Sequence, residues 1–233
     1  MRQIIAMGGG GFSMEPDNLA LDQYFLNQTN KARPKVCFVP TARGDAESYV
    51  FKFYKACSEL ECVPSYLSLF QLPTTDLESY VLEKDVIYVG GGNTKSMLAL
   101  WREWGLDLIF RRAYDAGVVL AGISAGANCW FEQCTTDSVP GELRVLTCLR
   151  FLRGSFSPHY DGEIERRPTL HRLLKNGQIL PGFAADNSAA IHFVDEQPLR
   201  AICSQPTAKA YRVGLAREQI TEEALEMVDV RII

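Results

Sequence analysis

The sequence predicts an α/β fold built on a mostly parallel β-sheet that is covered by helices on both faces. The first two-thirds of its 233 residues alternates short apolar runs with helical patterns. Strands that are apolar on both faces are typical of parallel sheets enclosed by helices. In the last part of the chain, strand-like runs separated by short turns predict an antiparallel C-terminal extension of the sheet.

Each element of this fold has a local signal in the sequence. Short runs rich in apolar residues predict strands at Gln3–Met7, Val36–Val39, Ser65–Phe70, Val86–Val89 and Val118–Ala121. Apolar residues at helical spacing predict helices over Leu19–Leu26, Glu47–Leu60, Leu106–Ala116 and Pro168–Leu174, and a further helix capped by Asn93. The antiparallel strands are expected at Ala189–Val194, Leu199–Cys203 and Ala208–Val213. No repeat or polar linker divides the chain, so we expect a single domain over residues 1–233.

Composition excludes several classes of function. The formal net charge is −4, whereas binding to nucleic acid or to an anionic membrane needs a clustered basic surface. No apolar run approaches the roughly 20 residues that span a bilayer. The N-terminal apolar run is too short for a secretory leader, so we expect a cytoplasmic protein. The spacing of the seven cysteines fits no zinc or redox motif and favours reduced thiols.

The strongest chemical signal is Gly122-Ile123-Ser124-Ala125-Gly126, which directly follows an apolar strand. This pattern fits the G-x-S-x-G nucleophile elbow, a sharp strand-to-helix turn that exposes the serine hydroxyl. The helix that follows would present free N–H groups to a developing oxyanion. The alternative is a tight turn in which Ser124 only caps the helix.

A serine nucleophile needs a base and a group that orients the base. Of the three histidines, His159 lies in a loop after Pro158, whereas His171 and His192 fall in a predicted surface helix and a predicted strand. We therefore expect His159 to be the base. Asp186, set among small apolar residues, is the first candidate for the acid, and an Asx turn is its structural alternative. The rival acids are Asp137 and Asp161.

A second glycine cluster, Gly90-Gly91-Gly92-Asn93-Thr94, also follows a strand and precedes a helix. Its backbone N–H groups would form one half of an oxyanion hole, and the N–H of Ala125 would form the other. Phosphate binding at the helix N-terminus is the alternative. Neither this cluster nor Gly8–Gly11 completes a G-x-G-x-x-G or Walker A pattern, which disfavours a nucleotide.

Three motifs occur in an informative order: VGGGNT at Val89–Thr94, GISAGAN at Gly122–Asn128 and SPHYD at Ser157–Asp161. With the weaker ADNSAA stretch at Ala185–Ala190, they resemble the peptidase E (alpha-aspartyl dipeptidase) and cyanophycinase group of serine peptidases. The resemblance covers roughly residues 1 to 215. It implies a class I glutamine-amidotransferase-like three-layer α/β sandwich, with the triad in the order Ser, His, acid.

The resemblance also implies roles for single residues. Ser124 takes the place of the nucleophile and His159 that of the base, while Asp186 stands where the family commonly has Glu. The oxyanion donors correspond to the backbone of Gly92 and Ala125. Residues expected to contact the substrate are Gly91, Asn93 and Arg166, the last of which corresponds to the arginine that reads an N-terminal aspartate. Bidentate binding of a carboxylate by a guanidinium is sound chemistry for that task.

The resulting expectation is a serine peptidase that hydrolyses short peptides, foremost dipeptides with an N-terminal aspartate, and needs no metal or organic cofactor. A cyanophycinase-like or other peptide specificity is the first alternative, and a non-catalytic binding protein on the same fold is the second. The small peptide is the expected partner, and the chain is expected to be a monomer or a homodimer. The segment Asn128–Leu149 is expected to form either an active-site lid or an edge hairpin.

Overall fold

The computed structural model of the protein describes residues 1–231. Its strands are β1 (Gln3–Met7), β2 (Lys35–Val39), β3 (Val63–Tyr66), β4 (Val86–Val89), β5 (Val119–Ile123), β6 (Phe131–Thr136), β7 (Arg144–Thr147), β8 (Leu152–Ser157), β9 (Gly182–Ala185), β10 (Ala189–Val194), β11 (Gln197–Cys203), β12 (Ala210–Ala216), β13 (Gln219–Ala224) and β14 (Met227–Asp229). Its helices are α1 (Gly11–Met14), α2 (Ala20–Asn27), α3 (Glu47–Cys57), α4 (Leu77–Leu82), α5 (Thr94–Glu103), α6 (Leu106–Asp115), α7 (Ala125–Asn128) and α8 (Arg166–Lys175). No helix within residues 1–231 is both long enough and apolar enough to cross a bilayer.

The larger sheet has eight strands in the order β14-β11-β10-β1-β5-β4-β2-β3. Its pairings β1–β5, β5–β4, β4–β2 and β2–β3 are all parallel. Strand β10 pairs antiparallel with β1, and β11 pairs antiparallel with β10. The predicted α/β class, with a parallel sheet and an antiparallel extension, is therefore confirmed.

A second sheet of six strands, in the order β13-β12-β9-β8-β6-β7, was not anticipated from the sequence. The predicted strand Ala208–Val213 lies here as β12, so its expected place in the extension of the first sheet is wrong. The outer edge of β11 is occupied by β14, and β12 instead pairs antiparallel with β9. The segment Asn128–Leu149 contributes the antiparallel pair β6–β7 at the edge of this sheet.

Most other predicted boundaries differ from the structure by a few residues. The largest shift concerns the strand predicted at Ser65–Phe70, since β3 ends at Tyr66. The Ser68 hydroxyl accepts hydrogen bonds from the backbone N–H groups of Phe70 and Gln71, at 3.1 and 3.0 Å. A serine that binds the backbone two and three residues ahead favours a turn over a strand.

Alternating side chains of the larger sheet pack into separate cores on its two faces. Helices α1, α2 and α3 cover one face, where Phe12 and Phe53 pack with side chains such as Phe38. Helices α4 to α7 and the second sheet cover the other face. Phe193 of β10 makes edge-to-face contacts with Phe131 and Phe183, which joins the two sheets. Helix α8 packs on the far side of the second sheet, where Leu170, Leu173 and Leu174 share a smaller core with residues of β9 and β12.

Candidate active site

The turn between β5 and α7 holds Ser124 in a strained backbone conformation, with φ 55° and ψ −113°. A positive φ is costly for a residue with a side chain, and such strain concentrates at functional sites. The flanking glycines are required because a Cβ on Gly122 would lie 2.2 Å from the carbonyl oxygen of Gly126. A Cβ on Gly126 would lie 2.2 Å from the carbonyl oxygen of Val89. The geometry is that of a nucleophile elbow.

The glycine loop after β4 lies beside this elbow. A Cβ built on Gly91 would be 3.4 Å from Ser124 Cβ and 3.9 Å from its hydroxyl oxygen. Gly92 has a φ of 142°, and a Cβ there would lie 2.2 Å from the carbonyl oxygen of Ala42. Within residues 1–231, the backbone N–H groups of Gly92 and Ala125 have no backbone or side-chain acceptor. Both groups are therefore free to bind an acceptor, and their role as oxyanion donors stays a prediction.

Two backbone hydrogen bonds bring the nucleophile and the base to the same end of β1. The N–H of Ser124 donates to the carbonyl oxygen of Met7 at 3.0 Å, and the N–H of His159 donates to that of Gly8 at 3.2 Å. Because Met7 and Gly8 are consecutive, residues that are far apart in sequence become neighbours. Among the described residues the Ser124 hydroxyl makes no hydrogen bond, and catalytic hydrogen bonds of this kind often tighten only when substrate is bound.

The side chain in contact with His159 is that of Asn187, and the expected contact with Asp186 is absent from the described residues. His159 Nδ1 lies 2.7 Å from Asn187 Oδ1. An amide oxygen only accepts, so Nδ1 carries the hydrogen and Nε2 is left as the acceptor that a general base requires. The Asp186 carboxylate instead accepts from the backbone N–H of Lys209 at 2.9 Å. The two residues lie in the turn between β9 and β10, where their side chains contact different segments of the chain.

Asp186 is buried, with 4% of its surface exposed, and its Oδ1 has no partner within residues 1–231. Burial raises the pKa of this carboxyl to about 6, with the Lys209 hydrogen bond opposing the shift and the nearby carboxylate of Asp161 adding to it. Its surroundings are those of a structural carboxyl that closes the link between β9 and β12.

The Asn187 amide fits a space kept open by two glycines. A Cβ on Gly9 would lie 2.1 Å from Asn187 Oδ1, and one on Gly162 would lie 2.2 Å from Nδ2. The rival acid Asp161 also contributes, because its Oδ1 accepts from the backbone N–H of Asn187 at 2.8 Å. Asp161 therefore positions the backbone of Asn187, whose side chain contacts His159.

Asn93 caps α5, as the sequence predicts. Its Oδ1 accepts from the N–H of Ser96, and its Nδ2 donates to the carbonyl oxygen of Ser138, both at 2.9 Å. The second bond joins the glycine loop to the turn between β6 and β7. Both ends of the Asn93 side chain thus have structural partners, and its contact with substrate stays a prediction.

Arg166 is buried, whereas a residue that binds substrate carboxylates is expected to be exposed. Only 2% of its surface is exposed. Its Nε contacts the Glu163 carboxylate at 2.6 Å, and its Nη2 lies 3.7 Å from that of Asp137. Its Nη1 donates to the carbonyl oxygen of Thr135 at 3.0 Å. A buried guanidinium must be paired, and these neighbours already supply the opposite charge and accept from two of its N–H groups.

The other two histidines have the structural roles that the sequence favours. His192 is buried between the Tyr24 hydroxyl, 2.9 Å from Nδ1, and the Gln3 amide oxygen, 3.1 Å from Nε2. Burial lowers the pKa of His192 to about 4, so this ring is neutral at pH 7. His171 lies on α8, where its Nε2 contacts the Glu222 carboxylate at 3.0 Å.

Sequence reasoning missed two residues of this site. Asn187 lies beside the chosen acid in the same motif, and the preference for a carboxylate as partner of histidine directed the assignment to Asp186. Tyr49 of α3 is buried, and its hydroxyl accepts from the N–H of Gly91 at 3.1 Å and contacts the Ser13 hydroxyl at 2.9 Å. Nothing in the local sequence of α3 indicates that Tyr49 supports the glycine loop.

Comparisons with known proteins relate the chain to peptidases. A model of peptidase family S51 matches residues 4–200. The chain is 59% identical over 222 residues to the uncharacterized peptidase YgaJ of Bacillus subtilis (strain 168), covering 95% of this chain and 96% of that protein. It is 33% identical over 109 residues to peptidase E of Pasteurella multocida (strain Pm70), covering 45% of this chain and 44% of that protein.

Two crystal structures have a similar fold. The structure of a peptidase from an acI-B1 actinobacterium superimposes with a TM-score of 0.69 at 16% identity, covering 95% of this chain and 94% of that one. The structure of a candidate peptidase E protein from Listeria monocytogenes EGD-e superimposes with a TM-score of 0.64 at 22% identity, covering 85% and 97%. The elbow, the glycine loop and the histidine loop all fall inside the matched region, and the chain belongs to peptidase family S51.

Proposed function

We propose that this family member is a serine-type peptidase that hydrolyses short peptides, with Ser124 as nucleophile and His159 as general base. The observation that carries the proposal is the pair of backbone hydrogen bonds from Ser124 and His159 to the consecutive carbonyls of Met7 and Gly8. They bring the backbones of a strained, partly exposed serine and of a histidine whose ring is held by Asn187 to the same end of β1. That combination is the requirement for nucleophilic catalysis by serine.

The chemistry follows from the geometry of these groups. His159 Nε2 takes the proton of the Ser124 hydroxyl as Oγ forms a bond to the peptide carbonyl carbon. The N–H groups of Gly92 and Ala125 bind the resulting oxyanion. His159 then gives its proton to the leaving amine as the C–N bond breaks, which leaves an acyl-enzyme. Water repeats these steps on the acyl-enzyme and releases the second product.

Asn187 completes the proposed triad in place of an acid. Its amide selects the tautomer of His159 and fixes the plane of the ring, which are two of the tasks of the third member. It carries no charge, so it does not stabilise the imidazolium as a carboxylate does. Cysteine peptidases with a Cys-His-Asn arrangement work with the same kind of partner. The contact between His159 and Asn187 supports a catalytic protein over the non-catalytic alternative, in which nothing would orient His159.

The preference for an N-terminal aspartate stays a prediction, as does the cyanophycinase-like alternative. The residue expected to read the aspartate, Arg166, is paired with Glu163 and Asp137. Hydrolysis itself does not depend on the outcome, because the nucleophile, base and oxyanion donors lie on other elements.

The test is a panel of Asp-X, Glu-X, β-Asp-Arg and neutral dipeptides with the native protein and the Ser124→Ala variant. We expect the native protein to cleave at least one of them and Ser124→Ala to lower kcat by about 10⁴-fold or more. A fluorophosphonate probe should label the native protein at Ser124 and leave the variant unlabelled. Undiminished turnover by a folded Ser124→Ala variant contradicts the proposal.

A further inference from the structure

An exposed arginine, Arg43, lies against the proposed oxyanion loop. It ends the short 3₁₀ turn Thr41–Arg43, which follows β2. A Cβ on Gly92 would lie 3.0 Å from the Arg43 backbone nitrogen, and the N–H of Asn93 donates to the carbonyl oxygen of Ala42 at 2.7 Å. The backbone of Arg43 is thus in contact with the residue that supplies one oxyanion donor.

The Arg43 side chain is held over a residue that supports the same loop. Its guanidinium carbon lies 5.4 Å from the centre of the Tyr49 ring, within the range of a cation–π contact. The hydroxyl of that ring accepts from the N–H of Gly91, and a Cβ added to Gly91 would come within 3.9 Å of the Ser124 hydroxyl oxygen. The guanidinium therefore packs on the side chain that holds the backbone of Gly91, the glycine beside Ser124.

The electrostatic state of Arg43 differs from that of Arg166. Within residues 1–231 no carboxylate lies within 4.0 Å of the Arg43 guanidinium, whereas Arg166 contacts both Glu163 and Asp137. A cation that is stacked on an aromatic ring keeps its N–H donors directed outward in a planar fork. Arg43 therefore has free donors for a carboxylate, whereas Arg166 is already ion-paired and donates to Glu163 and to the carbonyl oxygen of Thr135.

We propose that Arg43 is the specificity-determining residue of this site and binds a carboxylate of the peptide substrate next to the scissile bond. The proposal rests on the proposed peptidase function and adds to it the residue that binds the carboxylate of the substrate. A carboxylate near the scissile bond has two sources, an aspartyl side chain or the C-terminus of a dipeptide. Both offer the same pair of oxygens to the guanidinium.

The test separates the two sources with four substrates: Asp-Leu, Asn-Leu and the C-terminal amide of each. For the native protein we expect a higher kcat/KM for the substrate that carries the carboxylate. This applies to Asp-Leu against Asn-Leu, to the free acids against their amides, or to both comparisons. Arg43→Gln should reduce that preference by about 10- to 100-fold, the value of a charge-assisted hydrogen bond, and leave kcat/KM for Asn-Leu amide within about threefold. If Arg43→Gln loses the preference for Asp-Leu over Asn-Leu, Arg43 binds the aspartyl side chain. If it loses the preference for the free acids over the amides, Arg43 binds the C-terminal carboxylate.

Three further variants sharpen this test. Arg43→Lys keeps the charge but not the planar fork, so we expect it to restore only part of the preference. Lys95→Gln removes an exposed cation from the first turn of α5, two residues after Asn93. Arg102→Gln removes an exposed arginine about 10 Å further along that helix. Both should leave the preference unchanged.

The outcomes distinguish this proposal from the one on which it rests. If an active Arg43→Gln variant keeps both preferences of the native protein, or if the native protein has neither, Arg43 does not read a carboxylate and the peptidase function stands. If Lys95→Gln abolishes the preference in place of Arg43→Gln, the assignment is also overturned. A native protein that cleaves none of the four substrates or the wider panel contradicts the peptidase function itself.

Discussion

The elbow around Ser124 and the turn that carries Asn187 serve the same site but are specified by different physical means. At the elbow the backbone leaves no room for any side chain at Gly122 or Gly126. At the turn, either of two adjacent polar residues has the chemistry to hold the base. The direction of each side chain decides between them, and Asn187 contacts His159 while Asp186 binds Lys209.

The difference shows which parts of an active site can be recognised from the amino-acid sequence alone. Steric exclusion at a glycine is a property of residue type, so the G-x-S-x-G pattern carries it directly. Which residue contacts a histidine depends on where the side chains of a turn point. The sequence of the turn does not show whether Asp186 or its neighbour Asn187 points towards His159. The following variants test this contrast, beginning with the largest expected effect.

Removing the Asn187 amide should impair catalysis strongly without unfolding the protein. Asn187→Ala leaves His159 Nδ1 without an acceptor, so the ring loses its fixed tautomer and orientation. We expect kcat to fall by about 10²- to 10³-fold, less than for loss of the nucleophile. Steady-state kinetics on the best peptide of the panel measures the effect, with circular dichroism as the check of folding.

Asn187→Asp is the matched control for that variant. The carboxylate keeps an acceptor for Nδ1, and the space beside Gly9 and Gly162 that holds the amide also holds an isosteric carboxyl group. We expect Asn187→Asp to retain kcat within about tenfold of the native value or to exceed it. Equal losses in the Ala and Asp variants would show that the site tolerates no change there, which contradicts an orienting role.

Gly126→Ala tests the steric side of the contrast. The added Cβ meets a carbonyl oxygen of the β4 backbone at 2.2 Å, so either β4 or the elbow must move. We expect a loss of about 2–4 kcal/mol in the free energy of unfolding, measured by urea denaturation.

Gly214→Ala on β12 is the comparison, because its nearest new contact is 3.3 Å, to the Thr221 hydroxyl. We expect it to change the free energy of unfolding by less than about 1 kcal/mol. If the two alanine variants are equally stable, steric exclusion at the elbow is not what requires glycine.

Asp186→Asn should have the smallest effect on catalysis, with kcat within about threefold of the native value, since this residue does not touch His159. A loss comparable to that of Asn187→Ala would restore Asp186 as the catalytic acid. The structural role of Asp186 is visible instead in the pH dependence of stability.

The pKa of Asp186 is raised from 3.8 to about 6 by burial, so the folded protein keeps a proton that the unfolded chain has released. The contribution of Asp186 to the free energy of unfolding therefore decreases as the pH rises from about 4 to about 6 and is constant above that range. In Asp186→Asn this contribution is absent. The stability of the native protein relative to the variant should fall by up to about 2–3 kcal/mol across the window. Urea denaturation at pH 4.5 and 7 measures it, and a constant difference contradicts the shift.

Much of the first sheet could be predicted because its signals are local. Strands β1, β4 and β10 have the predicted boundaries, since each is an apolar run that ends at glycine or at a change of polarity. The second sheet could not be predicted in the same way. Strand β6 contains Glu132 and Gln133 and lies parallel to β8, so its pairing depends on residues distant in sequence.

The candidate site likewise contains residues that the sequence indicates and residues that it does not. Ser124, Gly92 and Ala125 can be proposed from the sequence because glycine-rich turns after buried strands are visible as patterns. Asn187, Tyr49 and the burial of Arg166 cannot, because each depends on the side chains that another element brings near it.

The amino-acid sequence by itself determined the α/β class, the strained serine turn and the free N–H groups beside it, because glycine spacing and apolar runs act through the adjacent backbone. Only the tertiary structure decided that Asn187 faces His159, that Arg166 is enclosed by acids and that Arg43 lies open beside Gly92. These contacts join segments that are far apart in sequence, and their energies depend on the distances and directions that the folded structure sets.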